Sequence, residues 1–142
     1  MPDTRLILAS ASPRRRELLD QLEVSYTCHP AHIDESQRVG EVPSDYVQRM
    51  AREKARAVAT HYPTPAYAVL AADTVVVIDD VVLGKPQDKV DALDILARLS
   101  GRRHSVLTAV CLCSATGMKS ALVETEVEFI TLSDEICAAY LD

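Results

Sequence analysis

Apolar segments of two kinds recur along the chain, and they predict an alternation of strands and helices. Largely apolar runs indicate buried strands at 6–9, 67–78 and 105–113, and residues 24–28 are interpreted as a further strand. Apolar residues at helical spacing indicate helices that begin near residues 12, 43, 88 and 133. Asp79 and Asp80 are expected to turn the chain into a short return strand, Val81 to Leu83, and Gly117 is expected to turn it into one further long strand. The pattern shows no repeat and no obvious linker.

The first predicted strand runs straight into the first predicted helix. Ser12 has the residue type of an N-cap, and Pro13 suits the first helical position, where its missing N–H costs nothing. On a helical wheel Arg15 lies on the same side as Leu18 and Leu22. This side is therefore expected to enter the core, with the Arg15 guanidinium lying over the end of the strand.

The basic first turn of this helix is a candidate anion site. Unpaired backbone N–H groups, serine hydroxyls and guanidinium groups at a helix N-terminus suit a phosphate. The alternative is a solvated basic turn without a ligand. The anion site is favoured, because the consecutive arginines Arg14, Arg15 and Arg16 oppose the helix dipole unless an anion is present.

Two charged residues fall at positions where the pattern predicts burial. Lys54 lies near the centre of the apolar stripe of the second helix, so it must either reach an anion or extend to water. Asp73 lies in the middle of the long apolar run at 67–78. A carboxylate there is costly unless it is paired, binds a metal or faces a cleft, and the alternative is a local turn or ion pair.

Two later segments have regular apolar patterns. After Gly117, valines at 123 and 127 alternate with glutamates, which predicts a strand with one buried and one solvated face. Three carboxylates in a row could bind a metal, but a solvated face is the favoured interpretation of Glu124, Glu126 and Glu128. The third helix is expected to bury Val90, Leu93, Leu96, Ala97 and Leu99.

Composition and charge limit the classes of function. The chain has 142 residues, 48% of them hydrophobic, which corresponds to about one domain. A net charge of −6, with one Phe, five Tyr and no Trp, argues against a nucleic-acid-binding module. Neither a membrane span nor a signal peptide is apparent, and the spacing of the four cysteines suits neither zinc nor a disulfide framework. These features predict a cytoplasmic protein with no nucleic-acid and no membrane partner.

The candidate functional residues combine four cations with up to three carboxylates. They are Ser12, Arg14, Arg15, Lys54, Asp73 and Lys85, together with the loop acids Asp34 and Glu35. Cations can neutralise phosphates, carboxylates can hold a hard divalent metal, and one carboxylate can activate water. The set therefore indicates hydrolysis of a nucleoside polyphosphate.

The motifs that contain these residues closely resemble the Maf family, the septum-formation-like nucleoside triphosphate pyrophosphatases. The similarity extends in family order over nearly the whole chain. Its segments are LILASASPRRRELL, the pair Asp34-Glu35, AREKA around Lys54, AADTVV around Asp73, GKPQD around Lys85, and LSGRRHSVLTAV from Leu99 to Val110.

The resemblance implies a fold, an activity and a set of roles. The fold is α/β, with an elongated, twisted mixed sheet flanked by helices and two lobes around a cleft, as in the inosine triphosphate pyrophosphatases. The activity is cleavage of a nucleoside triphosphate to the monophosphate and pyrophosphate. Asp73 becomes the proton acceptor, and Glu35 joins it at a divalent cation, Mg²⁺ or Mn²⁺. The implied phosphate contacts are Ser12, Arg14, Arg15, Lys54 and Lys85.

Base preference and organisation also follow from the resemblance. Arg14 and Thr74 match the subgroup that takes dTTP and UTP. Family members continue for about fifty residues beyond the position of Asp142, so a single domain with a short C-terminal part is expected. A homodimer is compatible with the family. The alternative function is a nucleotide-binding or regulatory module that keeps the phosphate site without turnover.

Overall fold

The computed structural model describes residues 5–10, 12–63, 65–84, 88–133, 135–136 and 139. The elements in chain order are β1 (Arg5–Leu8), α1 (Pro13–Gln21), β2 (Tyr26–Cys28), α2 (Pro43–Ala59), β3 (Tyr67–Ile78), β4 (Val81–Leu83), α3 (Lys89–Leu99), β5 (Arg103–Ser114) and β6 (Gly117–Glu128). This confirms the α/β class. The helix expected from residue 133 falls partly outside the described residues. None of the helices that the structure describes is long and apolar enough to cross a bilayer.

One mixed sheet contains all six of the strands described above. The strand order is β2-β1-β3-β5-β6, and β4 pairs with the far end of β3. β1 is parallel to both β2 and β3, whereas β3 with β4, β3 with β5, and β5 with β6 are antiparallel. The predicted hairpin is present, since Asp79 and Asp80 have φ angles of 52° and 61° at the turn between β3 and β4.

The long central strand β3 has an open stretch along one edge. β1 pairs only with residues 67–70 of β3, and β4 pairs only with residues 76–78. Between these two short partners, residues 71–75 have β5 on one side and none of the described strands on the other. Asp73 and Thr74 lie in this open stretch. The polar residues of the central strand are therefore found where none of the described strands pairs with this edge.

The main core lies between α2 and one face of the sheet. α2 contributes buried apolar residues that include Val47, Met50 and Val58, and they meet alternate residues of β3 and β5. Because side chains alternate across a strand, Asp73 falls on this face among Ala71 and Val75. Its carboxylate therefore points toward α2, the helix that bears Lys54.

The expectation that one side of α1 enters the core is wrong. No residue of α1 is buried, and Leu18 and Leu22 are 54% and 71% exposed. The helix reaches the sheet through polar contacts, in which the Arg15 side chain reaches β3 and Asp20 accepts a hydrogen bond from the Tyr26 hydroxyl of β2. The helical period identified which side chains share a side of α1, but nothing in the described part of the chain covers that side.

The burial predicted for the last strand is also largely wrong, and that predicted for the third helix is confirmed only in part. β6 is the outer strand of the sheet, and Val123 is 58% exposed although it alternates with glutamates as expected. Glu124, Glu126 and Glu128 are exposed, as the favoured interpretation requires. In α3, Leu99 is buried as expected and Leu93 and Leu96 are half-buried, whereas Val90 is 76% exposed and Ala97 is exposed. For β6 the physical reason is the position of α2, because this helix packs over β3 and β5 and extends little over β6.

Candidate active site

The centre of the site is Lys54, which lies between two carboxylates. Its Nζ atom is 3.0 Å from Oδ1 of Asp73 and 3.1 Å from Oε1 of Glu35. The side chains of Lys54 and Asp73 are only 15% and 13% exposed. Of the two alternatives that the sequence left for Lys54, contact with anions is therefore the one observed, and the anions are the protein's own carboxylates.

A network on α2 holds the loop that delivers Glu35. Arg49 on α2 binds both carboxylate oxygens of Glu41, at 2.7 and 2.8 Å, and also donates to the backbone carbonyl of Ser36 at 2.9 Å. The Tyr46 hydroxyl donates to the backbone carbonyl of Glu35. Burial, followed by the nearby charges of Asp73 and Glu35, raises the pKa of Tyr46, so its hydroxyl stays protonated and able to donate.

The Glu41–Arg49 pair gives the loop a pH dependence that can be measured. The hydrogen bonds from Arg49 lower the pKa of Glu41 to about 2, from 4.5. A carboxyl with a lowered pKa stabilises the fold fully above its unfolded value and loses that contribution as the pH falls from 4.5 toward 2. We expect Glu41→Gln to lower the urea midpoint at pH 7, and the difference from wild type to shrink through this window.

The matched control for that measurement is Glu124→Gln, which changes an exposed glutamate on β6. Its urea midpoint should follow that of the wild type at every pH. A Glu41→Gln deficit that stays constant down to pH 3 would contradict the assignment of the loop's acid sensitivity to this pair.

The second part of the site lies where β1 ends and α1 begins. Arg15 donates from Nη2 to Oγ1 of Thr74 at 3.2 Å and from Nη1 to Oγ of Ser10 at 3.4 Å. The same Ser10 oxygen accepts the backbone N–H of Ser12 at 3.0 Å. Ser12 is the N-cap of α1 and Pro13 follows it, as predicted, although the Ser12 side chain makes no capping hydrogen bond. The Arg15 guanidinium thus lies over the strand end, beside the unpaired N–H groups of the first helical turn.

Two pockets join these parts into one groove. A pocket of about 420 Å³ is lined by Ala9, Ser10, Ser12, Pro13, Arg15, Ala31, Glu35 and Lys54. A second, of about 290 Å³, is lined by Glu35, Tyr46, Asp73, Thr74, Val75, Val82, Leu83 and Gly84. Glu35 lines both pockets, and the Lys54–Asp73 pair contributes one residue to each. The cluster of Lys54, Asp73 and Glu35 therefore lies between the two ends of one groove. The end at Arg15 is polar and basic, and the end at Val82 is more apolar.

Most of the described candidate residues converge on this groove, but Arg14 and Asp34 do not. Arg14 is exposed on the first turn of α1 and has no hydrogen bond or ion pair within the described part of the chain. Asp34 accepts hydrogen bonds from the N–H and hydroxyl of Ser36 at 2.9 and 2.6 Å, which lower its pKa and hold it within its own loop. Lys85 lies outside the described residues, although Gly84, just before it, lines the second pocket.

Sequence reasoning missed several residues of the site. Ser10 is 7% exposed and accepts two hydrogen bonds in the groove. Its position directly after the predicted strand at 6–9 could have indicated a site residue. Thr108 contacts Thr74, with 3.0 Å between their Oγ1 atoms, and Arg49 holds the Glu35 loop. The last two are ordinary residue types for a strand and a helix, so only the three-dimensional arrangement reveals them.

The donor set has a limited capacity for a metal. Glu35 and Asp73 offer carboxylate oxygens, which suit Mg²⁺ or Mn²⁺, but Lys54 is within 3.1 Å of both. Within the described ranges, no group of three or more His, Cys, Asp or Glu side chains could hold an ion alone. The residues fit a cation that takes one or two carboxylates and its other ligands from phosphate and water.

Comparisons with known proteins identify relatives of this chain. The family model described as "Maf-like protein" matches residues 5–142. The chain is 55% identical over 134 residues to a "dTTP/UTP pyrophosphatase" of Anaeromyxobacter dehalogenans (strain 2CP-1 / ATCC BAA-258), covering 92% of this chain and 66% of that protein. It is 49% identical over 139 residues to a "dTTP/UTP pyrophosphatase" of Koribacter versatilis (strain Ellin345), covering 96% of this chain and 69% of that protein. The chain thus spans about two thirds of the length of these curated relatives.

A solved structure supports the fold. The Staphylococcus aureus Ham1 protein superposes with a TM-score of 0.57 at 12% sequence identity, covering 92% of this chain and 73% of that one. At this level of identity the likeness concerns the fold alone. The mixed sheet described above is therefore an architecture that proteins of very different sequence share.

Proposed function

This chain belongs to the Maf family, and from that premise we propose that it hydrolyses dTTP and UTP to the nucleoside monophosphate and pyrophosphate. The observation that supports this most directly is the Lys54 ammonium held between Asp73 and Glu35, in a groove whose other end is lined by Arg15 and the start of α1. The names of the two relatives above supply the substrate class.

The basic end of the groove suits the triphosphate. Arg15 is held by hydroxyl groups and has no carboxylate partner among the described residues, so its full charge is available to an anion. The N–H groups of the first turn of α1 and the Ser12 hydroxyl add uncharged donors. We assign the phosphate contacts to Ser12, Arg15 and Lys54, and extend them to Arg14 and Lys85.

Asp73 is the proposed proton acceptor for the attacking water. The water oxygen forms a bond to the α-phosphorus while the bond from that phosphorus to the bridging oxygen breaks, and pyrophosphate leaves with the electron pair. The proton of the water passes to the Asp73 carboxylate, which lies in the open stretch of β3 and is 13% exposed. The Lys54 ammonium lies 3.0 Å from Oδ1 of this carboxylate.

A divalent cation, Mg²⁺ or Mn²⁺, belongs to the proposal. Glu35 and Asp73 would hold it together with phosphate oxygens, and when bound it would neutralise charge that develops on the triphosphate. Lys54 already lies between both carboxylates.

The test is to incubate the protein with dTTP and Mg²⁺ and to separate the products by ion-exchange chromatography. Equal amounts of dTMP and pyrophosphate are expected, and dTDP with phosphate would contradict attack at the α-phosphorus. Tight dTTP binding in calorimetry without any product would instead identify a nucleotide-binding module. No binding and no product would contradict both functions.

Base preference is assigned to Arg14 and Thr74. Thr74 lines the more apolar pocket beside Asp73, and Arg14 lies at the start of α1, where an exposed side chain can reach a bound nucleotide. We expect the double variant Arg14→Trp with Thr74→Gln to lower the ratio of dTTP to GTP hydrolysis by about tenfold or more, because pocket contacts of this size discriminate by such factors. The measurement is kcat/KM for both nucleotides.

The matched control for base preference is Arg16→Trp with Thr125→Gln, which makes the same changes at exposed positions on α1 and β6. Its dTTP to GTP ratio should equal that of the wild type. An unchanged ratio in the Arg14 and Thr74 variant would remove both residues from the specificity assignment.

The remaining parts of the proposal concern environment and partners. We propose a cytoplasmic location, which the free thiols of Cys28, Cys111 and Cys113 support, because reducing compartments preserve thiols. The net charge of −6 supports the absence of a nucleic-acid partner. A homodimer stays a prediction from the family resemblance.

A further inference from the structure

A pair of threonines links β5 to the site on the sheet face opposite α2. Thr108 on β5 lies directly across from Thr74 on β3, and their Oγ1 atoms are 3.0 Å apart. The neighbouring cross-strand pairs on the same face are apolar, Ala72 with Val110 and Val76 with Val106. The two hydroxyls are thus a local polar exception, and sheet packing alone does not require them.

The hydrogen bonds of this pair lead to Arg15. A guanidinium can only donate, so Thr74 Oγ1 must accept the hydrogen bond of 3.2 Å from Arg15 Nη2. The second hydrogen bond of Arg15, from Nη1 to Ser10 Oγ, is longer at 3.4 Å. Thr74 is therefore the closer of the two side-chain contacts that orient this cation, and its own orientation determines where the charge lies.

We propose that Thr108 is a positioning residue for the nucleotide site, an inference that rests on the function proposed above. The side chain of Thr74 has staggered alternatives about χ1, and only one places Oγ1 between Arg15 and Thr108. The Thr108 hydroxyl stabilises that rotamer and so keeps the Arg15 guanidinium at the basic end of the groove. Thr108 contacts Thr74, which in turn contacts Arg15, so Thr108 acts on the position of Arg15 through Thr74.

The two faces of β3 allow this role to be separated from catalysis. Asp73 and its partners Lys54 and Glu35 lie on the α2 side, whereas Thr74 and Thr108 lie on the other. Loss of the Thr108 hydroxyl should therefore weaken substrate binding through Arg15 and leave the chemical step at Asp73 largely intact. A change in KM with little change in kcat is the expected signature.

The experiment compares Thr108→Val, Thr108→Ser and Thr125→Val with the wild type in steady-state dTTP hydrolysis. Valine keeps the branched shape that suits a strand but removes the hydroxyl, and we expect KM to rise about threefold to tenfold, the range for loss of one hydrogen bond. Serine restores the hydroxyl and should restore KM. Thr125 lies on β6 opposite Val106, on the same face and away from the groove, so Thr125→Val should behave as wild type.

Three results would overturn the role of Thr108. These are a wild-type KM in Thr108→Val, an equal loss in Thr108→Val and Thr108→Ser, and a fall in kcat at unchanged KM. If the wild type itself makes no product, the proposed hydrolysis fails, and the dTTP dissociation constant from calorimetry then decides. A threefold to tenfold weaker binding by Thr108→Val would support the positioning role, whereas equal affinities, or no binding by the wild type, would overturn it.

Discussion

Asp73→Asn is expected to lower kcat/KM for dTTP by about 10² to 10⁴-fold, the usual contribution of a positioned general base. Asparagine has nearly the same volume and can still accept the hydrogen bond that Lys54 Nζ makes at 3.0 Å. It cannot take a proton from water, and it removes one of the two negative charges next to Lys54. The measurement is steady-state hydrolysis together with thermal unfolding.

Fold and catalysis are separable in this variant because Lys54 keeps a second partner. Its Nζ atom remains 3.1 Å from Glu35, so the replacement does not leave a buried cation unpaired. The unfolding midpoint of Asp73→Asn should therefore stay close to that of the wild type. Asp94→Asn, at an exposed position on α3, is the matched control and should change neither property.

Two outcomes would contradict the role of Asp73. An unfolded Asp73→Asn protein would show that the carboxylate is needed for stability as an ion-pair partner. A folded variant with wild-type turnover would show that another group accepts the proton.

The centre of the site was predictable from the sequence because burying a charge is costly. Lys54 interrupts the apolar stripe of α2, and Asp73 interrupts the long apolar run of β3. A charged partner was one of the alternatives that the sequence left for each position, and the structure places the two side chains in contact. The start of α1 was predictable for a similar reason, since Ser12 and Pro13 are typical of a helix N-terminus and Arg15 opposes its dipole.

Coverage was not predictable from periodicity. The alternation in β6 and the apolar side of α1 tell which side chains point the same way, but not whether another element packs on them. Val123 and Leu22 are accordingly 58% and 71% exposed. Strand existence and type follow from local sequence, whereas burial depends on where distant elements end.

Strand register was the second missing piece of information. The open stretch of β3 exists because β1 ends at Leu8, opposite Leu70, and β4 ends at Leu83, opposite Val76, so that neither pairs with residues 71–75. The pairing of Thr74 with Thr108 likewise depends on the alignment of two strands that are distant in sequence. Residues such as Thr108 and Arg49 have unremarkable types, and their relation to the site arises only from this alignment.

Lys54→Met is expected to lower kcat/KM for dTTP by about 10² to 10³-fold, the range found when one charge-stabilising donor is removed from an active site. Methionine preserves the helix and most of the side-chain volume, but it leaves Glu35 and Asp73 facing the triphosphate without a cation between them. Repulsion of the anionic substrate should therefore raise KM, and the loss of the donor should lower kcat. Lys119→Met, at an exposed position on β6, is the matched control.

A second measurement on Lys54→Met tests the link between Lys54 and the cation site. The ammonium lies within 3.1 Å of both carboxylates that we assign to the metal, so it opposes a divalent cation at the same oxygens. Removing it should increase the affinity for Mn²⁺ in the absence of nucleotide, as measured by calorimetry, while hydrolysis falls. Unchanged hydrolysis would contradict the role of Lys54 in turnover, and unchanged or weaker Mn²⁺ binding would show that Glu35 and Asp73 do not form the metal's protein ligands.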